Sequence, residues 1–159
     1  MHRSPLLDHR HDEPSAFTPE SLLAAVVASR GLAHHRVPDV VVLEFDGDLY
    51  DGLVASGAPA CSTWACFHTP MCLVDVDGVP CGVVPRTIGG PYATLVAEQL
   101  FASGAKLVLG LTSAGRVRRG HSLPHLVVAR AAIRDEGTSL HYLPVGRVVE
   151  APRAVADAL

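Results

Sequence analysis

Four short polar segments of the sequence contain the residue types best suited to chemistry. The longest is RDEGTSLHYLP, residues 134–144, which joins charged, hydroxyl and aromatic side chains directly after the apolar run LVVARAAI. The others are residues 46–48, 87–90 and 112–115, which supply carboxylates, hydroxyls and glycines. Arginines, hydroxyls and backbone amides are the groups with which proteins bind anions. Residues 134–144 are open to two interpretations, a catalytic loop or the hydrogen-bonded end of a strand.

Apolar runs that precede these segments predict the strands that would position them. Residues 39–45 (DVVVLEF) and 106–113 (KLVLGLTS) are short and apolar, which is typical of buried strands. Residues 125–133 (HLVVARAAI) predict a third strand of the same kind. Within MCLVDVDGVPCGVV, the pair Asp77-Gly78 predicts a hairpin, because a tight primed turn needs positive φ angles.

Two helices are predicted from the signals at their ends. Thr18 followed by Pro19 indicates a helix start, since the hydroxyl accepts from free amides and proline suits the first turn. Gly31 is placed to end this helix, because glycine adopts the left-handed conformation at low cost. A second helix is expected to begin at the GGP sequence of residues 89–91 and to end at Gly104.

These elements predict an α/β fold with a mixed central sheet flanked by helices. We expect a polar tail over residues 1–16 and a single domain over residues 17–159. In open α/β sheets, ligands bind outside the carboxyl ends of the strands. The four polar segments should therefore come together as one candidate site.

Composition excludes several classes of function. The net charge is -3 at pH 7, so no strongly basic face is available for nucleic acid. No apolar run reaches the length of about 20 residues that crosses a bilayer, and the amino terminus lacks the apolar core of a signal peptide, so a cytoplasmic protein is expected. The 4 cysteines form no CxxC pair and no repeated ligand spacing, so no structural zinc site is expected. We expect no metal and no cofactor.

The order of these motifs resembles the purine and uridine (nucleoside) phosphorylase family. The resemblance rests on IGGPYATLVAEQLFASGAK (residues 88–106), LTSAG (111–115) and LVVARAAIRDEGTSLHYLP (126–144). It implies an α/β domain that works in homo-oligomers, with a nucleoside as substrate and phosphate only as a co-substrate. The implied reaction is cleavage of the N-glycosidic bond by phosphate, or by water, to give a base and ribose 1-phosphate or ribose.

The resemblance also implies roles for particular residues. The hydroxyl that binds phosphate in the family falls on Ser113, and the glycine beside the base falls on Gly115. Thr112 joins them as a substrate-binding candidate. Gly90 is a phosphate-binding candidate because it opens a helix, whose first amides attract anions. No residue is assigned as catalytic.

Three cationic positions of the family are neutral in this sequence. The phosphate-binding Gly-Asp-Pro segment of the family aligns with residues 45–47, and the arginine that follows it falls on Leu49. Two further arginines fall on Gly110 and near Phe67. The missing charge predicts weak phosphate dependence, or hydrolysis in place of phosphorolysis.

The later part of the family, with its ribose-binding and base-reading segments, has no counterpart before Leu159. We therefore expect the domain to be incomplete, with apolar surface that favours self-association. The alternative function is a non-catalytic homologue used for assembly or for sensing a nucleoside or another ligand.

Several polar residues have structural interpretations that compete with the functional ones. Residues 134–138 are expected chiefly to brace the end of a strand. The arginines of residues 116–119 are more typical of a solvated loop than of a replacement phosphate site. His68 and His141 are candidate general acids, but a hydrogen-bonded structural role is the commoner one for histidine.

Overall fold

The computed structural model describes residues 5–8, 10–117, 120 and 122–159. Contacts within the chain group residues 15–114 into one compact unit, and the residues before and after them into a second. Each unit is described by itself. The predicted boundary between a tail over residues 1–16 and a domain over residues 17–159 stays a prediction.

Residues 15–114 form a four-stranded mixed sheet flanked by helices, which confirms the predicted fold class. The elements are α1 (Pro19–Arg30), β1 (Val40–Glu44), α2 (Asp48–Ala55), β2 (Cys72–Val76), β3 (Val79–Pro85), α3 (Gly90–Ala102) and β4 (Leu107–Leu111). The strand order is β2-β3-β1-β4. Strand β1 runs parallel to β3 and to β4, whereas β2 runs antiparallel to β3.

The end signals of α1 act as predicted. The Thr18 hydroxyl accepts from the backbone amide of Ser21 at 3.3 Å, and Pro19 occupies the first turn. Gly31 follows the helix with φ 62°, in the left-handed region. The predicted hairpin is also confirmed, because Asp77 (φ 52°) and Gly78 (φ 83°) connect β2 to β3.

Helix α2 was not predicted. Residues 46–48 were treated as a polar segment after a strand, but a helix begins at Asp48. It has only 8 residues, too few to establish a helical period, although Leu49, Tyr50, Leu53 and Val54 lie at helical spacing. Its start is capped by Glu44 at the end of β1, a contact described below.

The core of residues 15–114 lies where β1, β3 and α3 meet. Val41, Val84, Val96 and Leu100 are fully buried there. Strand β4 is only half-buried, and its last two residues are exposed, so the buried strand predicted over residues 106–113 is shorter and more open than expected.

The third predicted strand is the main error of the fold prediction. Of residues 125–133, only Ala131–Ile133 form a strand, β5, and it pairs antiparallel with β6 (Val148–Glu150) in a separate two-stranded sheet. Leu126 is 90% exposed. An apolar run can be buried only where another element covers it, and the sequence pattern does not name that element. The expected self-association stays a prediction.

The remaining described elements are short. They are helix α4 (Arg153–Ala156) and two 3₁₀ turns, Pro5–Leu7 and Thr138–His141. Among the helices of the described ranges, none is long and apolar enough to cross a membrane.

Candidate functional site

The carboxyl ends of β1, β3 and β4 lie at one edge of the four-stranded sheet, because these three strands are parallel neighbours. This carboxyl edge comprises residues 44–51, 86–90 and 112–113. Three of the four predicted segments therefore come together there. The fourth, with Arg134 and Glu136, belongs to the other compact unit, as does Gly115.

A carboxylate joins the segments that follow β1 and β4. The backbone amide of Ser113 donates to Oδ2 of Asp46 at 2.6 Å. The Thr112 hydroxyl donates to the carbonyl of Ser113 at 3.1 Å. Ser113 is exposed, and its own hydroxyl is available at the carboxyl edge. The structure thus places two predicted site residues beside an aspartate that aligns with the family's Gly-Asp-Pro segment.

Glu44 fixes the start of α2. Its carboxylate accepts from the amides of Gly47 at 2.7 Å, Leu49 at 3.0 Å and Tyr50 at 3.0 Å. The side chain is buried, and the three charge-assisted hydrogen bonds satisfy it. Because these amides are already occupied, the start of α2 is closed to an external anion.

The start of α3 differs from that of α2. Gly89 precedes the helix with φ 100°, Gly90 is its first residue, and no side chain in the described part of the chain caps it. The amides at a helix start attract anions when no side chain satisfies them. Thr87, just before this start, is fully buried and its hydroxyl has no partner among the described residues.

Arg86 is the residue of the carboxyl edge that the sequence analysis missed. It follows β3 directly, and its guanidinium pairs with the Asp51 carboxylate at 2.5 Å. A Cβ on Gly47 would lie 3.0 Å from Cγ, Nε and Cζ of Arg86, so the arginine side chain lies across the backbone of Gly47. A charged residue immediately after a predicted strand and before TIGGP was the signal that could have revealed it.

Negative charge predominates at the carboxyl edge. The carboxylates belong to Glu44, Asp46, Asp48 and Asp51, whereas Arg86 supplies a single positive charge. The described residues include no group of three or more His, Cys, Asp or Glu side chains that could hold a metal ion. The edge is therefore electrostatically less favourable to an anion than its amides and hydroxyls alone would suggest.

The three positions where the resemblance expected arginines do not supply positive charge to this edge. Leu49 contributes only its amide, to Glu44, and Gly110 packs against the ring of Phe45. Phe67 is exposed, and the guanidinium carbon of Arg30 lies over its ring, 5.7 Å from the ring centroid. Arg118 and Arg119, considered as replacements, lie outside the described residues.

The segment RDEGTSLHYLP is held together by its own hydrogen bonds. The Arg134 guanidinium donates to the Ser139 hydroxyl at 2.9 Å and to the carbonyls of Ser139, Leu143 and Pro144. Glu136 accepts from the Ser139 amide at 3.0 Å, and Ser139 holds the pKa of the Glu136 carboxyl below its ordinary value. These contacts agree with the predicted bracing role.

His68, one of the two candidate general acids, makes structural contacts. Its ring meets Tyr92 edge-on with 6.4 Å between centroids, and its backbone amide donates to Sγ of Cys66 at 3.4 Å. A role as a general acid stays a prediction for both His68 and His141.

Comparison with known proteins supports the resemblance to nucleoside phosphorylases. The chain is 41% identical over 80 residues to a uridine phosphorylase of Thermococcus kodakarensis, which covers 50% of this chain and 27% of that protein. It is 32% identical over 83 residues to the uridine phosphorylase of Escherichia coli, a match that covers 52% of this chain and 31% of that protein. For Haemophilus influenzae uridine phosphorylase the identity is 27% over 70 residues. No protein-family profile matches the chain.

These matches confirm the family resemblance, but they extend over only part of each protein. The chain spans less than a third of the length of the curated relatives it matches.

Proposed function

We propose that this chain, which resembles uridine phosphorylases over half of its length, acts on the N-glycosidic bond of a nucleoside. The observation that supports this most is the hydrogen bond between the Ser113 amide and the Asp46 carboxylate. It joins the two segments to which the resemblance assigns phosphate binding, and it does so at the edge where α/β sheets bind ligands.

The chemistry of glycosidic cleavage suits such an edge. The bond breaks through an oxocarbenium-like state, so an enzyme can act by holding an anion or water near the sugar and by stabilising the departing base. The Ser113 hydroxyl and the uncapped start of α3 at Gly90 would orient the attacking group. Thr112 is the residue of this edge proposed to contact the nucleoside, and the same role for Gly115, which belongs to the other unit, stays a prediction from the resemblance.

We propose water as the more effective attacking group and phosphate as a weak one. A phosphate dianion approaching the carboxyl edge meets an excess of carboxylates, and Arg86 is already paired with Asp51. Each missing charge-assisted hydrogen bond lowers binding by about 1.5 to 3 kcal/mol. We propose no particular base. Uridine is the first nucleoside to test, because the named relatives are uridine phosphorylases.

A second candidate function is nucleoside binding without cleavage, as in a sensor. The carboxylates of Glu44 and Asp46 both accept hydrogen bonds from backbone amides, which makes them poorer proton acceptors. This favours binding without cleavage. Both candidates require a nucleoside to bind at the carboxyl edge.

The test measures, by chromatography, the release of base from uridine and from inosine, with and without phosphate. Asp46→Asn is the informative variant, because it weakens the bond that joins the two segments. Asp75→Asn is its matched control, since Asp75 is also exposed and accepts one backbone amide, that of Gly78 at 2.7 Å. Asp75 lies at the β2–β3 hairpin, the opposite end of β3 from the carboxyl edge.

We expect base release that depends little on phosphate, and a loss of at least about tenfold in Asp46→Asn but not in Asp75→Asn. Binding of uridine without base release would favour the sensor. Failure of both nucleosides to bind or react would refute the proposal, and strongly phosphate-dependent release would refute the preference for water.

A further inference from the structure

Arg86 has an unusual backbone conformation for an arginine. Its φ is 56°, in the left-handed region that residues with a Cβ adopt at a cost of roughly 1 to 3 kcal/mol. Among described residues other than glycine, only Asp77 shares a positive φ, and Asp77 lies in a hairpin turn where such angles are required. Arg86 instead follows β3 directly, and its side chain lies against Gly47 in the segment after β1.

The contacts of Arg86 identify what its conformation achieves. The side chain crosses from the end of β3 to Gly47, which adjoins the aspartate bonded to the Ser113 amide. Gly47 itself has φ 109°, and a side chain there would meet Arg86 at 3.0 Å. A positive charge is thereby held beside the segment that follows β1.

Two further groups of the carboxyl edge point to a ligand near Arg86. The Thr87 hydroxyl is fully buried without a partner among described residues, although buried hydroxyls are normally hydrogen-bonded. The start of α3, three residues later, has no side-chain cap among the residues described. An unsatisfied hydroxyl, uncapped amides and a guanidinium are a donor set that suits an oxyanion.

We propose that Arg86 is the anion-binding cation of the carboxyl edge and that Asp51 competes with the anion for it. This rests on the proposed function, because it specifies how phosphate would be recognised at the same site. The ion pair is half-exposed on both sides, with side chains 55% and 57% accessible, so it opens at little cost. Asp51 thus determines how weakly phosphate binds, and Arg86 supplies the charge absent from Leu49, Gly110 and Phe67.

The experiment measures binding of inorganic phosphate to the full chain by titration calorimetry, with no nucleoside present. The variants are Asp51→Asn, which releases the arginine, Arg86→Gln, which removes the charge, and the double variant. Arg86→Lys keeps the charge and guards against a loss that reflects misfolding, and thermal melts check each protein. Asp39→Asn is the matched control, because Asp39 forms an exposed ion pair with Lys106 at the same distance, 2.5 Å, before β1 and β4.

We expect Asp51→Asn to bind phosphate about fivefold more tightly than the unaltered chain, since the ion pair that competes with phosphate for Arg86 is removed. Arg86→Gln should bind about tenfold more weakly, Arg86→Lys should retain most of the affinity, and Asp39→Asn should change it by less than about twofold. The double variant should bind as weakly as Arg86→Gln, because Asp51 acts only through the arginine.

The inference is overturned if Asp51→Asn binds no more tightly than Asp39→Asn, if Arg86→Gln binds as well as the unaltered chain, or if no variant binds phosphate. Because nucleoside is absent, these results are separate from those that test cleavage. A chain that cleaves uridine but shows no effect of Arg86 would retain the proposed function and lose this inference.

Discussion

Residues 15–114 and residues 115–159 bury apolar side chains to very different extents. In the first region β1, β3 and α3 enclose a core in which Val41, Val84 and Leu100 are inaccessible to solvent. In the second region only Ala156 is buried among the described residues, although seven of the nine residues in HLVVARAAI are apolar.

The difference shows what turns an apolar run into a core. Strand β1 is paired on both sides, with β3 and β4, and α3 contacts it, so Val41 and Leu43 are buried in the core. Among the described strands, β5 pairs with β6 alone, over three residues. Apolar content is therefore alike in the two regions, whereas the number of covering elements is not.

The largest effect expected from this contrast is the loss of a buried leucine. Leu100→Ala should reduce the free energy of unfolding by about 3 kcal/mol, because it leaves a cavity in the core. Leu126→Ala removes the same atoms from a side chain that is 90% exposed and should change stability by less than about 0.5 kcal/mol. Urea denaturation measures both, and equal losses would remove the distinction between the regions.

A smaller effect is expected from adding a methyl group in each region. Gly82→Ala would place a Cβ 2.8 Å from Sδ of Met71, which is itself buried, so the core must shift at a cost of about 2 kcal/mol. Gly146→Ala meets Nη1 of Arg134 at 3.2 Å, a milder clash at an exposed position, and should cost no more than about 1 kcal/mol, the value of the hydrogen bonds that hold this guanidinium. Thermal melts compare the two, and a costlier Gly146→Ala would mean that residues 115–159 are packed more tightly than described.

The smallest effect is a local one within residues 115–159. Arg134→Gln removes hydrogen bonds to Ser139, Leu143 and Pro144 and should weaken this segment by about 1 kcal/mol, with little change in the overall melt. Amides of residues 139–143 should then exchange about fivefold faster. Arg147→Gln, at a neighbouring exposed arginine, is the control. A fall in the overall melting temperature would show that the second region is coupled to the core.

The fold was predictable where local chemistry decides the conformation. Thr18, Pro19 and Gly31 set the ends of α1, and Asp77-Gly78 sets the hairpin, because each acts through its own backbone angles and nearest neighbours. Helix α2 could not be predicted in this way, since its start is capped by Glu44 from the preceding strand. Whether residues 125–133 form a buried strand depends on the elements that cover them, and no local sequence pattern specifies those elements.

The candidate site was predictable in position but only partly in content. The rule that ligands bind at carboxyl ends of strands brought Ser113, Thr112 and Gly90 to one edge of the sheet. The resemblance assigns the phosphate-binding arginines to the positions of Leu49, Gly110 and Phe67, and none of these residues is an arginine. Arg86 stands at another position, and its relation to Gly47 and Asp51 is a matter of tertiary geometry.

Hydrogen exchange of the full chain with and without saturating uridine tests most directly whether the carboxyl edge of the first region is the ligand site. The account predicts slow exchange in β1, β3 and α3 throughout, and uridine-dependent slowing in peptides that cover residues 45–51, 86–92 and 112–114. Peptides that cover residues 134–144 should not change. Slowing confined to residues 134–144, or no slowing at the carboxyl edge, would contradict it.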